Sequence, residues 1–136
     1  MAHWTGKCGD PESALSDFHE LLADRLRISG PDHPDSLTVR NNIAVCTSRC
    51  GDLEGALRLS IQLLPDLIRI IGPDHPSYLA TRHNIGVWTA EFGDLTDGLR
   101  ILRELLPDRR RVLGSNHPRT LSSGHSIGTY AGMLSK

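Results

Sequence analysis

The residues best suited to chemistry in this chain are an aspartate and a histidine that stand side by side in the stretch GPDHP, from Gly30 to Pro34. A carboxylate beside an imidazole can orient the ring for proton transfer in an active site. The same stretch also carries helix-end signals, because a glycine suits the end of one helix and a proline suits the first turn of the next. The pair therefore indicates either a reactive loop or a joint between helices.

An internal repeat favours the interpretation of GPDHP as a joint between helices. GPDHP begins at Gly30, returns at Gly72 and appears as GSNHP at Gly114, so that successive copies lie 42 residues apart. The flanking segments follow in the same register, and the chain is one unit repeated nearly three times. In the third copy Asn116 replaces the aspartate, and an amide can still cap a helix but cannot take the same acid and base role.

Each unit contains two segments with helical spacing. The first runs from about Pro34 to Cys50, and the second carries an apolar stripe at steps of three and four residues from Leu53 to Ile71. Glycine followed by aspartate at 51–52 and at 93–94 predicts a helix end and then an N-cap. Either Asp32 or His33 would cap the next first helix. Pro65 and Pro107 predict a kink or break in the second helices.

The remaining reactive residues give no catalytic, metal or cofactor site. His33, His75 and His117 occur once per repeat, too far apart for shared ligation, and no HxxxH or HExxH pair occurs. The sequence also lacks a GxSxG elbow and a phosphate-binding glycine loop. The run from Arg109 to Arg111 is explained as cations near a helix C-terminus, with an acidic partner as the alternative. We predict a protein that is not an enzyme and holds no metal or cofactor.

Composition excludes several classes of partner. The formal net charge of -1 offers no basic field for nucleic acid. No apolar run is long enough for a membrane span or a signal peptide, so we expect a cytoplasmic protein without membrane contact. Three cysteines without CxxC spacing indicate neither a disulfide framework nor a zinc site.

The 42-residue helix-turn-helix unit, with small residues Ala44 or Gly86 facing Ala56 or Gly98, resembles the tetratricopeptide repeat. The stretch from GPDHP through TRHNI to LRILRELLPDRRRVLG is similar to the long-unit variant in kinesin light chains and bacterial repeat arrays. The resemblance implies an all-α fold, an α-solenoid of antiparallel helix pairs forming one domain over residues 1–136. Its units would be a partial repeat at 1–33, repeats at 34–75 and 76–117, and a partial repeat at 118–136.

The resemblance also implies a concave groove, lined by the first helix of each unit, that binds a peptide or partner protein. The groove positions carried over are Thr38, Asn41, Asn42, Val45, Ser48, Arg49, Ala80, His83, Asn84, Val87, Ala90, Glu91, Ser122, His125 and Thr129, with Met133 at the end and His3 and Lys7 at the start. Val45 and Val87 stand where arrays that clamp chaperone tails need asparagine, which argues against such a clamp.

Two alternatives stay open at this stage. The amides of Asn42 and Asn84 would bond either to the backbone of a bound peptide or to a neighbouring helix. Neither end of the array carries a polar capping helix, which indicates either a segment of a longer array or self-association through the ends. A self-associating or regulatory module of a larger nucleotide-binding signalling protein is therefore the alternative to a peptide-binding scaffold.

Overall fold

A computed structural model describes residues 11–135 as six α-helices joined by short turns, with no strand in that range. The helices are α1 (Pro11–Ser29), α2 (Pro34–Arg49), α3 (Leu53–Ile71), α4 (Pro76–Glu91), α5 (Leu95–Leu113) and α6 (Pro118–Leu134). The predicted alternation of first and second helices is confirmed: α2, α4 and α6 are first helices, and α1, α3 and α5 are second helices.

The helices form two compact units, one ending at Ile71 and the other beginning at Gly72. Within each unit every helix packs against the next one along the chain. The turns inside the units are only three or four residues long, so consecutive helices run antiparallel. His3 and Lys7, two of the predicted groove residues, lie outside the described residues.

Each unit buries the apolar stripe that the periodicity predicts. In the first unit Phe18 of α1 joins Val39, Ile43 and Cys46 of α2 in one buried cluster. In the second unit the buried side chains include Leu79 of α4 and Leu99, Leu102 and Leu105 of α5. Burial of this surface, at about 25 cal/mol per Å², is the main favourable contribution to folding.

The histidine of the GPDHP stretch is the helix cap. The Nδ1 atom of His33 accepts a hydrogen bond from the Asp35 backbone N–H at 3.0 Å, and His75 and His117 cap α4 and α6 in the same way. Of the two residues left open by the sequence, His33 is thus the N-cap. The aspartate beside it, Asp32, pairs instead with Arg69 of α3.

Glycine and aspartate mark the turn inside each helix pair, as the sequence predicts. Gly51 and Gly93 have φ angles of 94° and 121°, a region that residues with a Cβ avoid. After each glycine, the side chain of Asp52 or Asp94 accepts a hydrogen bond from a backbone N–H three residues on, at 2.8 and 3.0 Å. These bonds satisfy amides that the first turn of a helix leaves without a partner.

At the two prolines, where the sequence predicts a kink or break, the helices do not break. The second helices α3 and α5 run unbroken through Pro65 and Pro107, and each has 19 residues, the same as α1, which has Ala23 at this position. Both prolines lie on the exposed side of their helices. A carbonyl that loses its backbone donor there can bond to water instead, which lowers the cost of a proline inside a helix.

Candidate functional site

The predicted groove residues that lie within residues 11–135 are all on the first helices α2, α4 and α6, but they differ in exposure. The exposed members are Thr38, Arg49, Glu91, Ser122, His125, Thr129 and Met133. The half-buried members are Asn41, Asn42, Val45, Ser48, Ala80, His83, Asn84 and Val87. Both groups retain some surface that a partner could contact.

Ala90 is the exception, and its assignment to the groove is a correction. Its side chain is only 4% exposed. A Cβ built on Gly98 of α5 would lie 2.7 Å from the Ala90 Cβ, so Ala90 faces α5 across the helix pair. A residue that fills the contact between two helices has no surface left for a ligand.

Three hydroxyl groups on the predicted surface are already bonded to their own helix. Thr38 donates to the carbonyl of Pro34 at 3.1 Å, Ser48 to that of Val45 at 2.7 Å, and Thr129 to that of His125 at 3.1 Å. Such local bonds are common for serine and threonine inside helices. These hydroxyl donors are therefore less available to a partner than the amides on the same surface.

Asn42 and Asn84 occupy equivalent positions on α2 and α4, and both are half-buried. Within the described residues, neither side-chain amide makes a hydrogen bond. A primary amide offers two donors and one acceptor oxygen, a set that matches the N–H and C=O groups of an extended backbone.

A hydrogen-bonded chain links the three helices of the second unit. Arg109 of α5 donates through one guanidinium nitrogen to the Ser123 hydroxyl of α6 at 2.8 Å and to the backbone carbonyl of Arg119 at 2.7 Å. The Ser123 hydroxyl in turn lies 3.1 Å from Nδ1 of His83 on α4. Of these residues, only His83 is among the predicted site positions.

The environment of this chain shifts the pKa of both titratable side chains. Burial lowers the pKa of His83 from 6.5 to about 4, and the positive charge of Arg109 contributes in the same direction. Burial lowers the pKa of Arg109 to about 10, with a smaller contribution from Arg119. Both shifts have the same cause: a cation is unfavourable in a site removed from water.

Sequence reasoning missed Arg109 and Ser123. Arg109 lies in a run of three arginines that was attributed to the helix dipole, yet its side chain is only 3% exposed. The signal was its place in the apolar stripe, since the equivalent residue 42 positions earlier is Leu67, which is 2% exposed. An arginine at a position where the preceding repeat has a buried leucine indicates a buried charge.

Alternating arginines and aspartates form a chain of ion pairs in each unit. In the first unit Arg40 pairs with Asp66 at 2.7 Å, and Arg69 contacts both Asp66 and Asp32 at 3.0 Å. The Arg40 guanidinium, followed by that of Arg69, holds the pKa of the Asp66 carboxyl below its usual range. The aspartate of GPDHP thus connects its loop to α3, the second helix of the following repeat.

The second unit repeats this arrangement. Arg82 pairs with Asp108 at 2.6 Å, and Arg111 contacts Asp74 at 2.8 Å and Asp108 at 3.5 Å. Arg111, also assigned to the helix dipole, therefore has specific carboxylate partners. The exposed pair of Arg111 with Asp74 contributes little to stability by itself, and it connects the loop before α4 to α5.

Within residues 11–135, no three histidine, cysteine, aspartate or glutamate side chains are grouped as a metal site. None of the helices in that range is both long and apolar enough to span a membrane.

Comparisons with known proteins agree with this architecture. The tetratricopeptide-repeat family model matches residues 1–35, 36–77 and 79–119. A structure of nearly identical TPR-like repeats of a putative kinesin light chain from Podosopora anserina has a TM-score of 0.84 and 21% identity, over 95% of this chain and 61% of that one. BtubC (BKLC) from P. vanneervenii has a TM-score of 0.85 and 17% identity, over 98% of this chain and 54% of that one.

These structural matches show the fold, an α-solenoid of the kind found in kinesin light chain-like arrays. The chain spans less than two thirds of the solved chains that it matches. Comparison with curated proteins gives no match.

Proposed function

The chain belongs to the tetratricopeptide-repeat family, and from this membership we propose that it is a non-enzymatic scaffold that binds a peptide or partner protein on the faces of α2, α4 and α6. Repeats of this family generally mediate interactions between proteins. A cytoplasmic location belongs to the same proposal and rests on the sequence alone.

The observation that carries the proposal is the hydrogen bonding of the side-chain amides of Asn42 and Asn84. The sequence left open whether these amides bond to a neighbouring helix or to a ligand. Within residues 11–135 they have no hydrogen-bond partner, although both are half-buried. A ligand that supplies both a donor and an acceptor can satisfy both ends of such an amide, and each hydrogen bond formed adds to the binding free energy. The backbone of an extended peptide supplies both groups.

The neighbours of each asparagine support a mixed polar and apolar contact. In the first unit Asn42 shares α2 with half-buried Val45 and exposed Arg49. In the second unit Asn84 shares α4 with half-buried Val87 and exposed Glu91. Valine surface can cover apolar side chains of the partner, while the charged residues stand at the solvated edge, as in ordinary protein interfaces.

A double substitution tests this role. We expect Asn42→Ala with Asn84→Ala to weaken binding of display-selected peptides by about tenfold, because each lost hydrogen bond contributes about 0.5–1.5 kcal/mol. The peptides would be selected against the immobilised chain, and their dissociation constants measured by fluorescence anisotropy. Helicity by circular dichroism should not change.

Asn116→Ala is the matched control, since it removes the same amide from an exposed loop position. It should leave peptide affinity unchanged. Equal affinity of the wild type and the double variant would contradict the role of the asparagines. Failure of the wild-type chain to enrich any peptide would contradict the proposed function itself.

A second candidate function, self-association, is favoured by the exposure of Leu121 on α6. The equivalent leucines on α2 and α4, Leu37 and Leu79, are 2% and 0% exposed, whereas Leu121 is 57% exposed. Met133 and Leu134 of the same helix are also about half exposed. Exposed apolar side chains of this kind are typical of contacts between protein chains, including copies of one chain or domains of a larger signalling protein.

Sedimentation equilibrium tests this candidate. If α6 mediates self-association, the wild-type chain should form dimers or larger species at high concentration, and Leu121→Asp should reduce them to monomers. Ile61→Asp is the matched control, because Ile61 is 54% exposed on α3 and should not affect assembly. A wild-type chain that stays monomeric at its highest soluble concentration would contradict self-association.

A further inference from the structure

The first unit contains a cavity that the proposed function does not use. It has a volume of about 120 Å³ and is lined by two residues from each of three helices: His19 and Leu22 of α1, Arg40 and Ile43 of α2, and Leu59 and Gln62 of α3. His19 and Gln62 are exposed, so the cavity is accessible from solvent. An apolar cavity of about 150 Å³ accommodates benzene. This one can therefore take a group of about the size of a leucine side chain.

The inner surface of the cavity is apolar. Ile43 is 3% exposed and belongs to the buried cluster of the first unit, and Leu22 and Leu59 pack against that cluster. Both leucines are only half-buried, so part of their apolar surface remains in contact with water. An apolar group that enters the cavity removes this surface from water together with its own, and this burial favours binding.

The cavity lies on a different side of α2 from the predicted groove. Ile43 belongs to a buried cluster shared with α1, and Arg40 pairs with Asp66 of α3 at 2.7 Å, so both cavity residues of α2 face the neighbouring helices. With 3.6 residues per turn, the groove positions Asn41 and Val45 lie on another face of α2. A ligand in the cavity would therefore leave the groove free.

Arg40 supplies the cavity with hydrogen-bond donors. One of its guanidinium nitrogens donates to Asp66 at 2.7 Å, and within the described residues the side chain makes no other hydrogen bond. A guanidinium has five N–H donors, and the nitrogens of Arg40 that lack such a bond are not buried. The remaining donors are therefore available to an acceptor on a ligand.

The charge of Arg40 is already compensated. Asp66 contacts both Arg40 and Arg69, and Arg69 also contacts Asp32, so two arginines face two aspartates. The Arg40 guanidinium, followed by that of Arg69, holds the pKa of the Asp66 carboxyl below its usual range, so Asp66 is ionised at neutral pH. A carboxylate on the ligand would compete with Asp66 for the same guanidinium. A neutral carbonyl oxygen accepts from Arg40 without adding a second negative charge.

We propose that this cavity binds an aliphatic side chain of a neutral peptide segment, with a backbone carbonyl of that segment accepting a hydrogen bond from Arg40. The volume and the apolar inner surface fit the side chain, and the compensated guanidinium fits the neutral acceptor. The site goes beyond the proposed function, because it lies away from Asn42 and gives the chain a second place to contact a peptide.

Titration with N-acetylleucinamide tests the site, with the methyl signals of Ile43 and Leu59 followed by NMR. This neutral compound combines a leucine side chain with two amide carbonyls. We expect saturable shifts with it and none with N-acetylglycinamide, which lacks the side chain. N-acetylleucine carries a carboxylate in place of the terminal amide and should bind more weakly. Equal or tighter binding of N-acetylleucine would overturn the assignment to a neutral ligand.

Substitutions at equivalent positions of the two units supply matched controls. Leu22→Phe fills the cavity, and we expect the affinity for N-acetylleucinamide to fall by at least about tenfold because the leucine side chain can no longer be buried. Leu106→Phe changes the equivalent half-buried leucine of α5 and should bind like the wild type. Arg40→Leu removes the donor and should weaken binding by about twofold to tenfold. Arg82→Leu removes the equivalent arginine, which pairs with Asp108, and should have no effect.

Equal affinity of the wild type and Leu22→Phe would overturn the proposal, and so would the absence of saturable shifts in the wild type. If Leu22→Phe failed to fold, Arg40→Leu would decide, since unchanged affinity in that variant contradicts the hydrogen bond from Arg40. Each of these results leaves the scaffold function intact if display-selected peptides still bind and still depend on Asn42 and Asn84.

Discussion

Replacement of Gly98 by alanine is expected to destabilise the second unit by about 2 kcal/mol, because the new methyl group has no room. A Cβ at this position would lie 2.7 Å from the backbone oxygen of Gly86 and 2.8 Å from the backbone nitrogen of Ala90. Backbone atoms cannot move aside as the end of a side chain can. The helices α4 and α5 must therefore separate, and this cost exceeds the gain of about 1 kcal/mol that alanine brings to a helix over glycine.

Gly128→Ala is the control for this prediction. A Cβ there would meet no atom within 4 Å, so only the helix propensity changes. We expect a gain of about 0.5–1 kcal/mol in the free energy of unfolding, measured by urea denaturation for both variants. A Gly98→Ala protein as stable as the wild type would show that α4 and α5 do not pack as closely as described.

Stability is expected to fall by about 2 kcal/mol between pH 7.5 and pH 5 because of His83 alone. The pKa of His83 is lowered from 6.5 to about 4 in the folded chain, first by burial and then by Arg109. The unfolded chain therefore takes up a proton at a higher pH than the folded chain does. The contribution of His83 is fully present above pH 6.5 and is lost as the pH falls from 6.5 towards 4.

Urea denaturation at pH 7.5, 6 and 5 checks this expectation. His83→Asn, which places the residue of the preceding repeat at this position, should lose less stability than the wild type on acidification. His125→Asn removes an exposed imidazole from the neighbouring helix and should keep the steep wild-type profile. Parallel profiles for the wild type and His83→Asn would contradict the burial of a neutral His83.

The candidate site could be predicted in part. Apart from Met133, which is exposed, the family resemblance placed fourteen positions within residues 11–135 on surfaces that a partner could reach, while Ala90 faces the adjacent helix. Ala90 was carried over with Ser48, the equivalent residue, which is half-buried. The closer contact of Ala90 depends on Gly98 of the partner helix, where the first unit has Ala56. Arg109 was missed because an arginine at the end of a helix has an adequate local explanation.

The sequence by itself determined the repeat, the number of helices within the described residues and the residues at which they begin. These features depend on local interactions: apolar spacing, the φ preferences of glycine and proline, and caps that lie within a few residues of the amides they satisfy. GPDHP could thus be recognised as a joint rather than a reactive pair.

Only the tertiary structure decided which charged side chains of the repeat form ion pairs and which do not. Asp32 pairs with Arg69 of α3, and Arg109 is buried without a carboxylate partner within the described residues. These outcomes depend on distances between helices that are far apart in sequence. Burial in turn sets the cost of each unpaired charge, so the charge at Arg109 becomes significant only once the helices are packed around it.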